Sequence, residues 1–360
     1  MTEPTTEIEQ IRARYAPTSQ LALRIADLPI RLESNEPAAL AAARAYFCPY
    51  VVDAGPADAP TLYLFQGEAV YDPARLAIVT RGGLNRPPKE ALYDTSGARV
   101  ILKQRTGLTI YVTDTAQYVV GDLLTHFNQV VNAVNVVFMK GKIAQGFVMF
   151  HASAAQRPGP VDQARGLAFA SLSGAGKSSV AMHLIARGYQ YVTNDRLLLR
   201  LGATGVEMLG VPKWPRVNPG TLLTVPELAS LLTPNERERY RALPPDELWS
   251  LEAKHDVIVP DVFGPAAFDL AGRLAAVYLL NWRRTTPGFQ VQPIQPTEAA
   301  EALRSLLKTV GVYDRAAAAA ASPEPTIERL ASAIPYYSVT GYAYPARLAA
   351  YITSPDEARG

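Results

Sequence analysis

Residues 171–179 read Ser-Leu-Ser-Gly-Ala-Gly-Lys-Ser-Ser, and their types and spacing suit the cradling of a phosphate chain. Gly174 and Gly176 let backbone N–H groups turn inward around an anion, and a helix starting near Lys177 presents its positive dipole end to the same place. Lys177 can reach β- and γ-phosphates, and the Ser178 hydroxyl is placed to ligate Mg²⁺. Ser173, Gly174, Ala175, Gly176, Lys177, Ser178 and Ser179 are therefore candidate nucleotide-binding residues. The stretch follows the pattern G-x-x-x-x-G-K-[ST], with Ser171 standing where the first glycine is expected. The chemistry this implies is transfer of the γ-phosphoryl group of ATP with Mg²⁺, catalysed largely by positioning and charge neutralisation.

A second set of candidates lies in GVPKWPRVNPGTLL (210–223), where Lys213, Arg216 and Asn218 stand among prolines that stiffen the backbone. Rigid basic loops suit phosphate oxygens, because charge-assisted bonds from arginine need preset geometry. Arg216 is a candidate nucleotide-binding residue on that ground, and Lys254 and His255 in EAKHDV are further candidates.

The elements needed to position these residues are legible around them. GLAFAS (166–171) has the pattern of a buried strand, and the run VAMHLIARG after the loop is helical. FVMFH (147–151), residues 189–192 and 197–201, and LAAVYLLNW (274–282) read as further strands, and helices are predicted over 297–310 and 326–333. An alanine run at 316–321 reads as a linker. Upstream, Leu123, Leu124, Phe127, Val130, Val131, Val134, Val137 and Phe138 recur at helical spacing, predicting a helix over 121–140. Residues 1–45 read as helical surface material with a helix at Ala38–Ala45, and TLYLF, RLAIVT, ARVILK and LTIYVT read as short strands. The expected fold class is α/β, mixed α+β. It comprises an N-terminal domain over 1–120, a catalytic domain over 121–310 and a C-terminal helical extension over 311–360.

Composition narrows the setting. The chain has 360 residues, 48% hydrophobic and 19% charged, which describes folded domains rather than disorder. Lys plus Arg (35) nearly balances Asp plus Glu (33), which argues for neither nucleic acid nor an anionic membrane as partner. One cysteine, Cys48, excludes an internal disulfide framework and a cysteine-rich zinc site, and its expected place is a buried thiol. The four histidines, at 126, 151, 183 and 255, have no metal-binding spacing. No apolar stretch is long enough to span a membrane and the N-terminus is polar, so a cytoplasmic location is expected.

The order FHASAA, GLAFASLSGAGKSSVAMHLIARG and YQYVTND, covering about residues 147–225, resembles the catalytic core of the HPr kinase/phosphorylase family, most of all its type B relatives. PEP carboxykinase is similar at a greater distance. The resemblance implies a P-loop kinase core, ATP and Mg²⁺ as cofactors, and a hydroxyl-bearing acceptor on a protein serine or a small metabolite. It places His151 near the transferred phosphate. Where the family carries two adjacent acidic residues, this chain has Asn194-Asp195, so metal ligation and proton uptake fall together on Asp195, with His151 the other candidate base. An amide can ligate a metal through its oxygen but cannot take up a proton at neutral pH. KQRTG (103–107) is similar to a segment of the type B relatives, which makes Lys103 or Arg105 a candidate for closing over substrate, and the family implies a homo-oligomer. A nucleotide-binding regulatory module with weak or no transfer, a carboxykinase and a pyrophosphate-producing phosphorylase stay open as alternatives.

Overall fold

The computed structural model describes residues 6–79, 88–160, 163–171, 175–282, 288–315, 323–341 and 345–354. The chain forms two units, Met1–Ala144 with Val310–Ala320, and Gln145–Thr309 with Ala321–Gly360.

The first unit opens with α1 (Glu7–Arg14), started by a capping box between Thr6 and Glu9. The structure corrects the helical surface material expected over 1–45: the stretch carries a hairpin of β1 (Ser19–Ile25) and β2 (Leu28–Ser34). Leu21, Leu23 and Ile25, and Leu28, Ile30 and Leu32, are all buried, which is the period of two of a strand with one covered face. The two-residue turn holds Ala26 at φ 54°, where glycine or asparagine would have announced a hairpin. The helix expected at Ala38–Ala45 forms as α2 (Pro37–Tyr46), and β3 (Val51–Val52), β4 (Thr61–Gln66), β5 (Ala77–Val79), β6 (Glu90–Asp94), β7 (Arg99–Lys103), β8 (Thr109–Val112) and β9 (Ala116–Gly121) follow. They build a nine-stranded sheet in the order β3-β1-β2-β4-β9-β8-β7-β6-β5. The helix expected over 121–140 begins later, as α3 (Phe127–Ala144). Before it, the Asp122 carboxylate accepts from the Thr125 N–H at 3.1 Å and the Gln66 side chain from the Leu123 N–H at 2.7 Å, which makes a turn and leaves Leu124 47% exposed. Because α3 packs on β2, β4 and β9, the first unit runs to Ala144 rather than ending at 120. Cys48 is exposed, not buried, since its neighbour Phe47 fills the core position.

The second unit begins with β10 (Val148–Phe150), β11 (Ala152–Gln156), β12 (Ala164–Ala170), α4 (Lys177–Ile185), β13 (Gln190–Thr193), β14 (Leu197–Gly202) and β15 (Gly205–Gly210). Then come β16 (Arg216–Val217), α5 (Pro219–Thr224), α6 (Pro234–Arg241), α7 (Pro245–Ser250), β17 (His255–Asp256), α8 (Val259–Phe263) and β18 (Ala271–Leu280). The chain closes with β19 (Gln290–Pro293), α9 (Pro296–Leu306), β20 (Leu307–Lys308), α10 (Glu324–Ala333), β21 (Tyr336–Thr340) and α11 (Pro345–Thr353). Ten of these strands form one mixed sheet, in which β12, β18 and β21 run parallel side by side. Alternate side chains of the sheet enter different cores. Ala168 and Ala170 join Leu303, Leu306, Ile327 and Leu330 of α9 and α10, while Phe169 joins Val180 and Leu184 of α4 and Leu348 and Ile352 of α11. The sheet is thus covered on both faces, as a parallel centre requires.

The segment expected to be a C-terminal helical extension is part of this core. Tyr336 and Val339 of β21 are 2% and 0% exposed and pair with β18, so the extension could not be removed without opening the sheet. The alanine run 316–321 lies outside the described residues. No described helix is long and apolar enough to cross a membrane.

Candidate functional site

The chain turns from strand to helix at the C-terminal end of β12. Ala170 ends the strand, Ser171 follows, and α4 starts at Lys177 with Gly176 as its N-cap. Ser173 and Gly174 lie outside the described residues. Gly176 has φ +83°, a left-handed conformation that a side chain strains, and a Cβ there would stand 3.4 Å from Pro345 and 3.8 Å from Trp282. The N–H of Val180 bonds back to the Gly176 carbonyl at 3.0 Å, so the regular helical ladder begins there, and the N–H groups of Lys177, Ser178 and Ser179 precede it.

When N–H groups of a turn converge on an anion, its carbonyls face outward and need other donors. Two side chains supply them here. Trp282 Nε1 donates to the Ala175 carbonyl at 2.8 Å, and the Lys177 ammonium donates to the Ser171 carbonyl at 3.1 Å. From beneath, the buried Ser153 hydroxyl on β11 donates to the Lys177 carbonyl at 2.9 Å. The Ser179 hydroxyl is bonded to Thr221 Oγ1 of α5 at 2.6 Å, both buried, which leaves Ser179 its backbone N–H for an anion. Ser178 is half-buried.

Asn194 and Asp195 form the tight connection between β13 and β14, held by the Thr193 hydroxyl, which donates to the Arg196 carbonyl at 2.7 Å. His151 stands between β10 and β11, its N–H bonded to the Leu306 carbonyl at 2.8 Å. Its Nδ1 lies 3.0 Å from Asp195 Oδ1 and 3.2 Å from the Asp195 backbone oxygen. Both are acceptors, so Nδ1 carries the hydrogen and Nε2 offers its lone pair when the ring is neutral. Asp195 Oδ2 is also paired with Arg196 at 2.5 Å. Desolvation pushes the Asp195 carboxyl up, but the His151 hydrogen bond and the charges of Arg196, His151 and Lys213 outweigh it and hold the pKa at about 2. The carboxylate remains 57% exposed, so water screens these charges and the shift adds little to stability.

Cations gather around this carboxylate. Burial lowers the pKa of Lys177, with Asp195 opposing and Lys308 adding to the effect, which places all three within electrostatic reach. Burial likewise lowers Lys213, where Asp195 opposes and Arg196 and Arg216 add to the effect. Arg216 is bonded to Asp256 at 2.9 Å and to the Lys254 carbonyl at 3.3 Å. Lys254 therefore contributes backbone, and His255 pairs with Val217 and acts on Glu236. Lys103 and Arg105 belong to the first unit, where Lys103 is bonded to Glu90 at 2.6 Å and Arg105 is exposed.

The oxygen donors suit a hard cation. The Asn194 side-chain oxygen is buried without a hydrogen-bond partner. Among the described residues no three or more His, Cys, Asp or Glu converge as a metal cage. By chemistry an amide oxygen, a carboxylate and a hydroxyl are hard donors of the kind Mg²⁺ takes, and Mg²⁺ is commonly held by one or two protein groups together with substrate phosphates.

Four contributors carry little sequence signal. Ser153 is a hydroxyl inside an apolar strand, whereas Trp282, Thr221 and Lys308 stand 105, 44 and 131 residues from Lys177 in numbering.

No known family model and no curated protein matches the chain. Among solved structures it is similar to the Hpr(Ser) kinase/phosphatase from Coxiella burnetii, at 15% identity over 59% of this chain and 90% of that one, with a TM-score of 0.29.

Proposed function

We propose that the chain is an ATP-dependent phosphotransferase of the HPr kinase type, moving the γ-phosphoryl group to a hydroxyl. The observation that carries the reading is the hydrogen-bonded pair of Asp195 and His151, with Lys177 at the start of α4 within electrostatic reach of the Asp195 carboxylate. An anion-binding turn and a proton-accepting pair are the two parts such a transfer needs.

The N–H groups of Ala175, Gly176, Lys177, Ser178 and Ser179 hold phosphate oxygens, with Ser173 and Gly174 completing the P-loop. Lys177, Lys213, Lys308 and Arg216 neutralise charge on the phosphate chain. Asp195, Ser178 and the Asn194 oxygen would hold Mg²⁺. When bound, the ion adds charge neutralisation at the phosphate oxygens. In the transfer, the acceptor oxygen forms a bond to the γ-phosphorus, the bond from phosphorus to the bridging oxygen of ADP breaks, and the acceptor proton passes to the pair. A pKa of about 2 makes the Asp195 carboxylate a weak base and a durable countercharge. His151 Nε2 then takes the proton, while Asp195 fixes the ring through Nδ1.

One observation favours a second reading, a nucleotide-binding module with little transfer: Asn194 supplies an amide where the resemblance implies a carboxylate. An ADP-release assay with Mg²⁺·ATP against hydroxylated metabolites and serine-containing proteins separates the two. Transfer predicts ADP release that requires an acceptor and is lost in Asp195→Asn. Tight ATP binding with no acceptor raising turnover supports the module and contradicts transfer.

A further inference from the structure

Residues 211–218 carry Lys213 and Arg216 between β15 and α5, and apart from the two residues of β16 they form no strand or helix. Buried hydroxyls pin both ends of this segment. At its start the Val211 N–H donates to Thr193 Oγ1 at 3.4 Å, and the Tyr191 hydroxyl donates to the Lys213 carbonyl at 2.8 Å. At its end it enters α5, whose Thr221 hydroxyl lies 2.6 Å from the Ser179 hydroxyl. Thr193, Ser179 and Thr221 are all buried.

The two anchors belong to the two parts of the candidate site. The Thr193 hydroxyl also closes the Asn194-Asp195 turn through the Arg196 carbonyl. Ser179 is the third residue of α4, in the first turn, where the N–H groups precede the helical ladder. Between the anchors the Lys213 charge acts on Asp195. Packing against α7 fixes α5 as well: Gly220 lies so close to Trp249 that a Cβ there would stand 2.7 Å from the ring. Burying two hydroxyls costs free energy unless they are bonded, and a valine would fill the same space as Thr221 without that cost. What the hydroxyl pair adds is direction, since a hydrogen bond constrains angle as well as distance.

We infer that Thr221 is a positioning residue for nucleotide binding: through Ser179 it sets where the 211–218 segment, and Lys213 with it, stands relative to the phosphate-binding turn. The inference rests on the phosphotransfer reading, in which Lys213 neutralises charge on the phosphate chain, and adds a residue to it. Thr221 itself touches neither nucleotide nor acceptor. It acts by holding two chain segments, 44 residues apart at Lys177 and Thr221, in one register.

The test is calorimetric titration of Mg²⁺·ATP into the full chain and its T221V, T221S, K213A and T221V/K213A variants, with urea unfolding to establish that each is folded. Thr221→Val keeps the shape and deletes the hydroxyl, whereas Thr221→Ser keeps the hydroxyl and deletes a methyl group. Affinity should fall about five- to tenfold in T221V and stay within about twofold of the wild type in T221S. In the K213A background the T221V change should cost about twofold or less, because both act through one lysine. If T221V fails to fold, Ser179→Ala deletes the same bond from the other side and carries the same expected loss, blunted in the same way by K213A. Wild-type affinity in T221V, an equal loss in T221S, or an undiminished loss in the K213A background would overturn the inference while the wild type still binds Mg²⁺·ATP. A wild type that does not bind Mg²⁺·ATP sinks the phosphotransfer reading, and the inference with it.

Discussion

His151 Nδ1 stands 3.0 Å from Asp195 Oδ1, across 44 residues of sequence, because β10 pairs antiparallel with β14, Phe150 opposite Leu197, and so brings the residue after β10 to the turn that precedes β14. The pairing assigns different work to the two side chains: Asp195 orients and His151 Nε2 receives. His151→Ala should therefore lower turnover by about a hundredfold to ten-thousandfold with little change in Mg²⁺·ATP affinity. Single-turnover kinetics with separate nucleotide titration would check it, and unchanged turnover would move proton uptake to Asp195.

Asp195→Asn removes the countercharge and the oriented pair but keeps the shape. ATP binding through the loop amides should survive, transfer should not, and comparison with His151→Ala and the double variant tells whether the two act as a unit. If they do, the double variant is no slower than the worse single one.

Trp282 holds the Ala175 carbonyl outward through one hydrogen bond. Trp282→Phe keeps a ring and deletes the donor, so ATP affinity should fall by about fivefold, the worth of a single hydrogen bond near 1 kcal/mol. The same indole should report loading, its fluorescence changing when Mg²⁺·ATP binds and staying silent in the Phe variant. An unchanged titration and an unchanged emission would remove Trp282 from the site.

The strand and helix that flank the turn, β12 and α4, were legible in the sequence, and the reasons for the gaps elsewhere are specific. The turn, its strand and its helix are local, and period and glycine placement announce them. The hairpin over 19–34 is hidden from the sequence because Ala26, not glycine or asparagine, occupies its left-handed turn position. The helix over 121–140 was placed too early because Leu123 and Leu124 share its spacing, while the Asp122 and Gln66 contacts that make the turn are invisible to periodicity. β21 is illegible as core because its pairing with β18 is a long-range event. The same limit hid Trp282, Thr221 and Lys308: residue type alone does not say which distant chain segment a side chain will meet.

His183 offers a pH test away from the chemistry. It sits in α4 at 5% exposure, and desolvation, then the nearby Arg187 charge, lower its pKa from 6.5 to about 4. The unfolded chain therefore binds the proton first as pH falls. Stability contributed by the neutral ring is fully present above about pH 6.5 and declines between there and pH 4, by up to about 1.4 kcal/mol per pH unit. Urea unfolding at several pH values should show that slope, and His183→Gln should flatten it. A wild-type slope no steeper than the variant's would contradict the burial of a neutral ring.

The central claim is an anion site built on Lys177 that binds Mg²⁺·ATP, and calorimetric titration of Mg²⁺·ATP into the wild-type and Lys177→Ala chains tests it most directly. The account predicts one site per chain in the wild type and affinity lower by about tenfold or more in the variant. Equal binding by both chains, or none by the wild type, would contradict it.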